Sequence, residues 1–314
     1  MTDNEPSNAE GRLCSRLGLG AGEAAQLVAA MRAGRAAKQA IVLSPRAGEG
    51  YEPPFACEPR ELRPWLPPRV YVPTEGAAPT KHPDYAAGLY YALDVSSAWE
   101  SAALAHVPQP GRSLDLCAAP GGKTMLFAAR HPLHDHTANE VNAARRGILR
   151  QNAEQCGLPN TQVAGLRPDQ WAAAVSAGEI APFDLLLVDA PCSGQSLLCK
   201  GIKNPGCLGP NMVQGNAKRQ RGILLAAVQC VRPGGHILYT TCTYDPEENE
   251  KVIGYILRRV PGWEAVEVPE LAAYRSPLAE FPTYRLYPWQ GSGAGGFCCL
   301  LRREPTAPET TPSH

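Results

Sequence analysis

From residue 112 to residue 260, short apolar segments alternate with longer amphipathic ones, and a chain with this rhythm has few ways to bury itself. Segments 113–116, 135–138, 162–166, 183–188 and 236–240 read as strands, and 123–129, 141–155, 215–231 and 246–260 as helices. Strands joined through helices align in parallel, with helices on both faces of the sheet. The expectation is an α/β chain on a mostly parallel sheet, completed by two late strands at 263–268 and 296–301. With 31 prolines, 30 glycines and only five phenylalanines, the chain suits many loops rather than a helical bundle.

The flanks read differently. Residues 12–40, rich in Ala, Leu and Met, suggest one or two short helices, and 44–81 carries many prolines and aromatics, as in an irregular accessory lobe with short strands. Segment 89–99 is amphipathic, a strand or the entrance to a helix. The expected division is a disordered tail at 1–11, an accessory segment at 12–87, a catalytic unit at 88–303 and a second tail at 304–314. At the last helix, Asp245 is the expected cap, Pro246 the first position, and Glu247, Glu248 and Glu250 the charges that suit a helix dipole.

Several classes are disfavoured. No apolar stretch reaches the ~20 residues of a membrane helix, and residues 1–11 do not look like a secretory leader. Eleven cysteines without a CxxC spacing suit reduced thiols in a cytoplasmic setting and argue against a metal site. Formal net charge is zero, from 30 Lys and Arg against 30 Asp and Glu, which weighs mildly against a nucleic-acid partner. Yet residues 190–244 contain no acid, while Lys200, Lys203, Lys218, Arg219, Arg221 and Arg232 lie there, a candidate cationic rim for phosphates.

Ligands of open α/β sheets sit beyond the carboxyl ends of the strands. After the first strand, Leu114–Thr124 reads LDLCAAPGGKT, with small residues that let a ligand approach the backbone and a turn that feeds a helix. Asp115 is placed to receive an ammonium, Glu140 after the second strand to hold ribose hydroxyls, and Asp169 after the third to meet an adenine amino group. The set describes a nucleoside with an amino-acid tail, better matched to S-adenosylmethionine than to NAD. The fourth and fifth strands end in DAPCSG and YTTCTY, which bring Cys192 and Cys242 toward one pocket. Either alone is as readily a buried core thiol, but the pair suits a known chemical problem. Carbon 5 of cytosine is a poor nucleophile; a thiolate added to carbon 6 turns the ring into an enamine. Asp189 is placed to hold a proton on N3, Lys123 to tune the local charge, and a second cysteine to assist release.

LDLCAAPGGKT, DAPCSG and YTTCTYDPEENE, with GLYYALDVSS at 88–97 and GGFCCLLRR at 295–303, resemble the signature segments of the RNA 5-methylcytosine methyltransferase family, the NOL1/NOP2/Sun group. The look is closest to the bacterial ribosomal RNA cytosine-C5 methyltransferases. The resemblance implies a Rossmann-like methyltransferase fold with a small N-terminal lobe, S-adenosylmethionine as cofactor and an RNA substrate. It gives Cys242 the covalent role, Cys192 the release role and Asp189 the contact to cytosine. The cofactor is expected against Cys117, Ala118, Ala119, Pro120 and Gly121 beside Lys123, with Glu140 at the ribose and Arg145 at the family's basic position. Lys200 matches a basic residue after DAPCSG. Ribosomal RNA is the expected substrate and transfer RNA the alternative, and nothing signals an oligomer. A methyltransferase for another substrate would not need Cys242 where it is, and a silent RNA-binding scaffold would not keep both cysteines. Three positions depart from the family pattern: Leu93 stands where Gln is usual, Arg167 at the third acidic cofactor position, with Asp169 two residues later, and Gly296-Phe297-Cys298 where the family has GFF.

Overall fold

The computed structural model describes residues 6–131, 135–158 and 161–305. The first helix, α1 (Asn8–Arg16), starts at a capping box: Glu10 N–H donates to Ser7 Oγ, and Ser7 N–H donates to the Glu10 carboxylate. A helix thus begins inside the stretch expected as a tail; residues 1–5 and 306–314 lie outside the described residues. Helix α2 (Ala21–Ala33) ends at Gly34 with φ 61°. Next come β1 (Gln39–Leu43), β2 (Val70–Tyr71), the single turn α3 (Pro83–Ala86), β3 (Tyr90–Asp94) and α4 (Val95–Glu100). Strand β1 is the centre of an antiparallel sheet, paired with β2 at Ile41–Tyr71 and with β3 at Ile41–Ala92. Strand β3, which follows the boundary expected between residues 87 and 88, pairs with β1 of the accessory segment.

The main sheet follows: β4 (Arg112–Asp115), α5 (Gly122–Arg130), β5 (Asp135–Asn139), α6 (Ala143–Cys156), β6 (Thr161–Ala164), α7 (Pro168–Ser176) and β7 (Phe183–Asp189). Then come α8 (Ser196–Cys199), α9 (Pro210–Cys230), β8 (Val231–Thr241), α10 (Glu250–Arg259), β9 (Trp263–Val266), β10 (Tyr284–Leu286) and β11 (Gly296–Arg303). The order is β10-β11-β8-β7-β4-β5-β6, with β9 also paired to β11. Strands β4 to β8 run parallel, and β11 returns antiparallel to β8. The strand order reverses at β4, so a crevice opens beyond the ends of β4 and β7.

Period-two alternation divides the core. Leu185, Leu187, Leu238 and Leu300 face one side, against Trp99, Leu126 and Phe127. Leu186, Val188, Ile237 and Leu301 face the other, against Leu224 of α9 and Ile253 of α10. Trp65, Val70 and Val72 of the accessory segment are buried in the first of these clusters, so the small lobe shares a core with the large sheet.

The last helix starts at Glu250 rather than at Pro246, because tertiary contacts recruit its expected first turn. Asp245 pairs with Arg16 of α1, Glu248 accepts a bond from Ser193 N–H, and Glu250 pairs with the buried Arg285 of β10. Leu93, at the position where the family pattern has Gln, is a partly buried core residue beside the start of α5.

Candidate active site

Two loops leave adjacent parallel strands and meet. Asp189 of β7 pairs with Thr240 of β8, and the chain then continues to Cys192 on one side and Cys242 on the other. Their sulfur atoms lie 3.4 Å apart. The loops are fixed by their own hydrogen bonds. Ser196 N–H donates to Cys242 O at 3.1 Å, and Ser193 Oγ meets Thr243 Oγ1 at 2.8 Å. The Glu248 carboxylate accepts from Ser193 N–H at 2.8 Å and from Gln220 Nε2 at 3.0 Å, tying the Cys192 loop to α9. Asn204 Nδ2 donates to Ser193 O at 2.7 Å and to Gly194 O at 3.1 Å.

The two thiols have opposite tendencies. The hydrogen bond from Cys192 holds the Cys242 thiol below its ordinary value, with help from the Lys200 and Lys123 ammonium groups. That same bond pushes the Cys192 thiol well up, together with burial and the charges of Glu248 and Asp189. The pair is therefore biased toward a Cys242 sulfur that accepts and a Cys192 thiol that keeps its proton.

Beside the thiols lies a buried charge cluster. Lys123, in the first turn of α5, is 2.7 Å from Glu100 Oε2 and 3.0 Å from Asp189 Oδ2. Thr240 Oγ1 donates to Asp189 Oδ1 at 3.0 Å. Glu100 is the last residue of α4, and sequence reasoning missed it: 89 residues separate it from Asp189 and no motif includes it.

A cleft of about 1140 Å³ runs past both thiols. One wall carries Cys117 and Ala119, followed by Glu140, Arg145, Arg167 and Asp169; Asp189, Cys192 and Cys242 lie on the floor. Arg145 pairs with Glu140 at 3.2 Å and donates to Ala119 O at 2.5 Å, so the expected basic position braces the turn against the ribose candidate. Gly121 adopts φ 118°, a conformation that calls for glycine at the entrance to α5. Ala118 turns into a small apolar cluster with Ala138 and Leu149 rather than into the cleft, and Pro120 is exposed outside it. Asn139, also missed, staples the crevice by donating to Leu116 O and Leu166 O, each at 3.0 Å. Asp169 is exposed and pairs with Arg167 at 3.1 Å; both stand at the mouth, on the cleft wall.

The residues present fit S-adenosylmethionine. Asp115 is fully buried; its Oδ2 accepts from Thr124 at 2.6 Å, while Oδ1 lacks a hydrogen-bond partner among the described residues. Burial pushes this carboxyl up to about 7, which an arriving ammonium would reverse. Glu140, 6 % exposed, lines the cleft after the next strand, its carboxylate accepting from Asn142 N–H at 2.8 Å and paired with Arg145.

The expected cationic rim is only partly brought together. Arg219 lines the cleft, and Lys200 stands near Cys242 in an ion pair with Asp94 at 3.3 Å. Lys203 and Lys218 are exposed but outside the cleft wall. Arg221 is turned away: its guanidinium lies over the ring of Tyr255 on α10, 5.4 Å from the centroid.

A sheet that reverses order at β4, with a nucleoside crevice at that point, defines the Rossmann-like fold of S-adenosylmethionine-dependent methyltransferases, here carrying a thiol pair at its floor. The chain belongs to the 16S rRNA methyltransferase RsmB/F family, whose model matches residues 103–302. It is 34% identical over 226 residues to ribosomal RNA small subunit methyltransferase F of Klebsiella pneumoniae (strain 342), covering 70% of this chain and 46% of that protein. It is 35% identical over 234 residues to the protein of that name from Escherichia coli O9:H4 (strain HS), covering 72% and 47%. The chain thus spans about half the length of the curated relatives it matches. In fold it is similar to a methyltransferase homolog protein from Pyrococcus horikoshii, with a TM-score of 0.69, 23% identity, and coverage of 95% of this chain and 100% of that one. NSun6 from Pyrococcus horikoshii with SFG gives 0.69 and 16% identity, covering 96% and 99%.

Proposed function

We propose that this protein methylates carbon 5 of cytosine in small-subunit ribosomal RNA through a transient bond between Cys242 and ring carbon 6. The observation that carries this reading is the thiol pair, 3.4 Å apart, with a depressed Cys242 and a raised Cys192. A cleft of about 1140 Å³ exceeds the ~300–1,000 Å³ of ordinary small-molecule sites, leaving room for a base beside a nucleoside cofactor.

The chemistry balances on residues at hand. Cys242 thiolate forms the S–C6 bond, and the displaced π electrons are met by a proton that Asp189 places on N3, which leaves C5 nucleophilic. S-adenosylmethionine, when bound, supplies the electrophilic methyl group that C5 takes. Cys192 then hands its proton to the departing Cys242 sulfur as the C6–S bond breaks, and takes the C5 proton in exchange. N3 returns its proton to Asp189, and the surplus proton on the thiol pair goes to solvent through the cleft. The RNA-facing reading is confined to Arg219 and Lys200 within the site, with Lys203 and Lys218 on the surrounding surface.

Bisulfite sequencing of small-subunit ribosomal RNA tests the reading. A protected cytosine should be present with the gene and absent without it, and Cys242→Ala should not restore it. Identical maps with and without the gene would overturn the assignment, and protection found only in transfer RNA would move the substrate.

A further inference from the structure

Asp189 sits between the cleft and a buried chain of charges whose far end has no part in the reaction derived above. Lys123 Nζ is 2.7 Å from Glu100 and 3.0 Å from Asp189. Glu100 is 2 % exposed and does not border the cleft. The fold makes room for it: a Cβ on Gly296 of β11 would collide with Glu100 Oε1. One ammonium thus faces two carboxyl groups, and only one of them reaches the ligand.

We propose that Glu100 is a positioning residue for the methyl-transfer site: it is the buried proton reserve of Asp189, coupled to it through the Lys123 ammonium. This inference rests on the cytosine methylation argued above. The proton that Asp189 gives to N3 is the one this pair shares: Lys123 passes a proton to Asp189 Oδ2 and takes the Glu100 proton in its place, so Asp189 ends the step as the carboxylate it began as. The return of the N3 proton reverses the sequence, so no proton is gained or lost. Two carboxylates beside a single ammonium leave one negative charge unmatched, on a buried Glu100 and an Asp189 that opens on the cleft, and a shared proton removes it.

The groups that face Glu100 are Lys123 on α5, Asp189 at the end of β7, Cys242 after β8 and Cys298 on β11. Asp189 in turn faces Asp115 of β4 and Cys117. Burial, opposed by Lys123 and reinforced by Asp189, lifts the Glu100 carboxyl to about 8. The reserve is therefore full at neutral pH and empties as pH rises through about 8.

The test is the pH dependence of steady-state methyl transfer to unmethylated 16S ribosomal RNA in small subunits, for the wild type, Glu100→Gln and Glu100→Asp. The wild type should lose activity on the alkaline side. Glu100→Gln should lower kcat by about 10-fold, the lower end of what a positioned proton donor contributes, and lose that alkaline limb. KM and cofactor Kd should stay within about twofold, because Glu100 borders neither ligand, whereas a collapsed site would move all three. Glu100→Asp, with a carboxyl withdrawn by one methylene, should keep the limb with a shifted midpoint; this variant decides the matter if the Gln variant does not fold. Variants that methylate with the wild-type rate and wild-type alkaline limb would overturn the inference alone. A wild type that methylates no cytosine would overturn the parent reading with it.

Discussion

At Cys242 and Cys192 two chemically identical side chains are made different by what stands around them. The ammonium groups of Lys123 and Lys200 favour the thiolate of Cys242, and the carboxylates of Glu248 and Asp189 disfavour that of Cys192. Iodoacetamide should therefore alkylate Cys242 at lower pH than Cys192. Peptide mass spectrometry over a pH series checks this, and equal labelling of the two would contradict it. Motif spacing at strand ends made both thiols, Asp189, Lys123 and Glu140 legible in the sequence, since each follows a strand by a fixed step. Glu100 and Asn139 were not legible, and Thr240 was quoted in YTTCTY without its bond to Asp189. Their importance comes from sheet order and from α4 packing against β11, which a linear reading does not contain.

Among the elements, strands with compact apolar cores were readable. Phe183–Asp189 differs from the expected 183–188 by one residue, because burial on both faces leaves a continuous apolar run. The first turn of α10 was not readable. Its Asp-Pro-Glu-Glu pattern is a sound capping signal, and Asp245 Oδ1 does accept from Glu247 N–H at 3.1 Å, yet Asp245 Oδ2, Glu248 and Glu250 are each drawn to a different partner and the helix starts at Glu250. The Glu250–Arg285 pair ties α10 to β10, and Arg285 also donates to Tyr244 O at 2.5 Å, two residues beyond Cys242. Both side chains are 3 % exposed, so Glu250→Ala leaves a guanidinium buried without its charge partner. The expected cost is ~3–5 kcal/mol, read from urea unfolding as a lowered midpoint. A loss below ~1 kcal/mol, the range of a surface pair, would show the pair to be solvated.

For the whole molecule, the accessory segment shares its core with the catalytic unit. Its sheet takes β3 from the larger unit, its Trp65, Val70 and Val72 enter the larger core, and α1 reaches Asp245 beside the thiol loop. Such contacts between distant segments leave no local periodicity, which is why a division at residue 87 looked natural. A chain of zero net charge must present RNA with a local cationic surface rather than a global field. Arg219 lies in the cleft and Arg221 stacks on Tyr255, so the two arginines of one helix should behave differently. Arg219→Ala should weaken RNA binding and reduce the slope of log K against log salt by about 1; Arg221→Ala should leave the slope unchanged. Equal effects in a salt titration would contradict the placement.

The account stands on a sulfur–carbon bond made by Cys242 and released with the help of Cys192. Cys192→Ala, incubated with S-adenosylmethionine and small-subunit ribosomal RNA, should accumulate a protein–RNA adduct that survives denaturing electrophoresis. After nuclease and protease digestion, its mass should place a methylated cytidine on the peptide containing Cys242. Full turnover by this variant without an adduct, or an adduct on another residue, would contradict it.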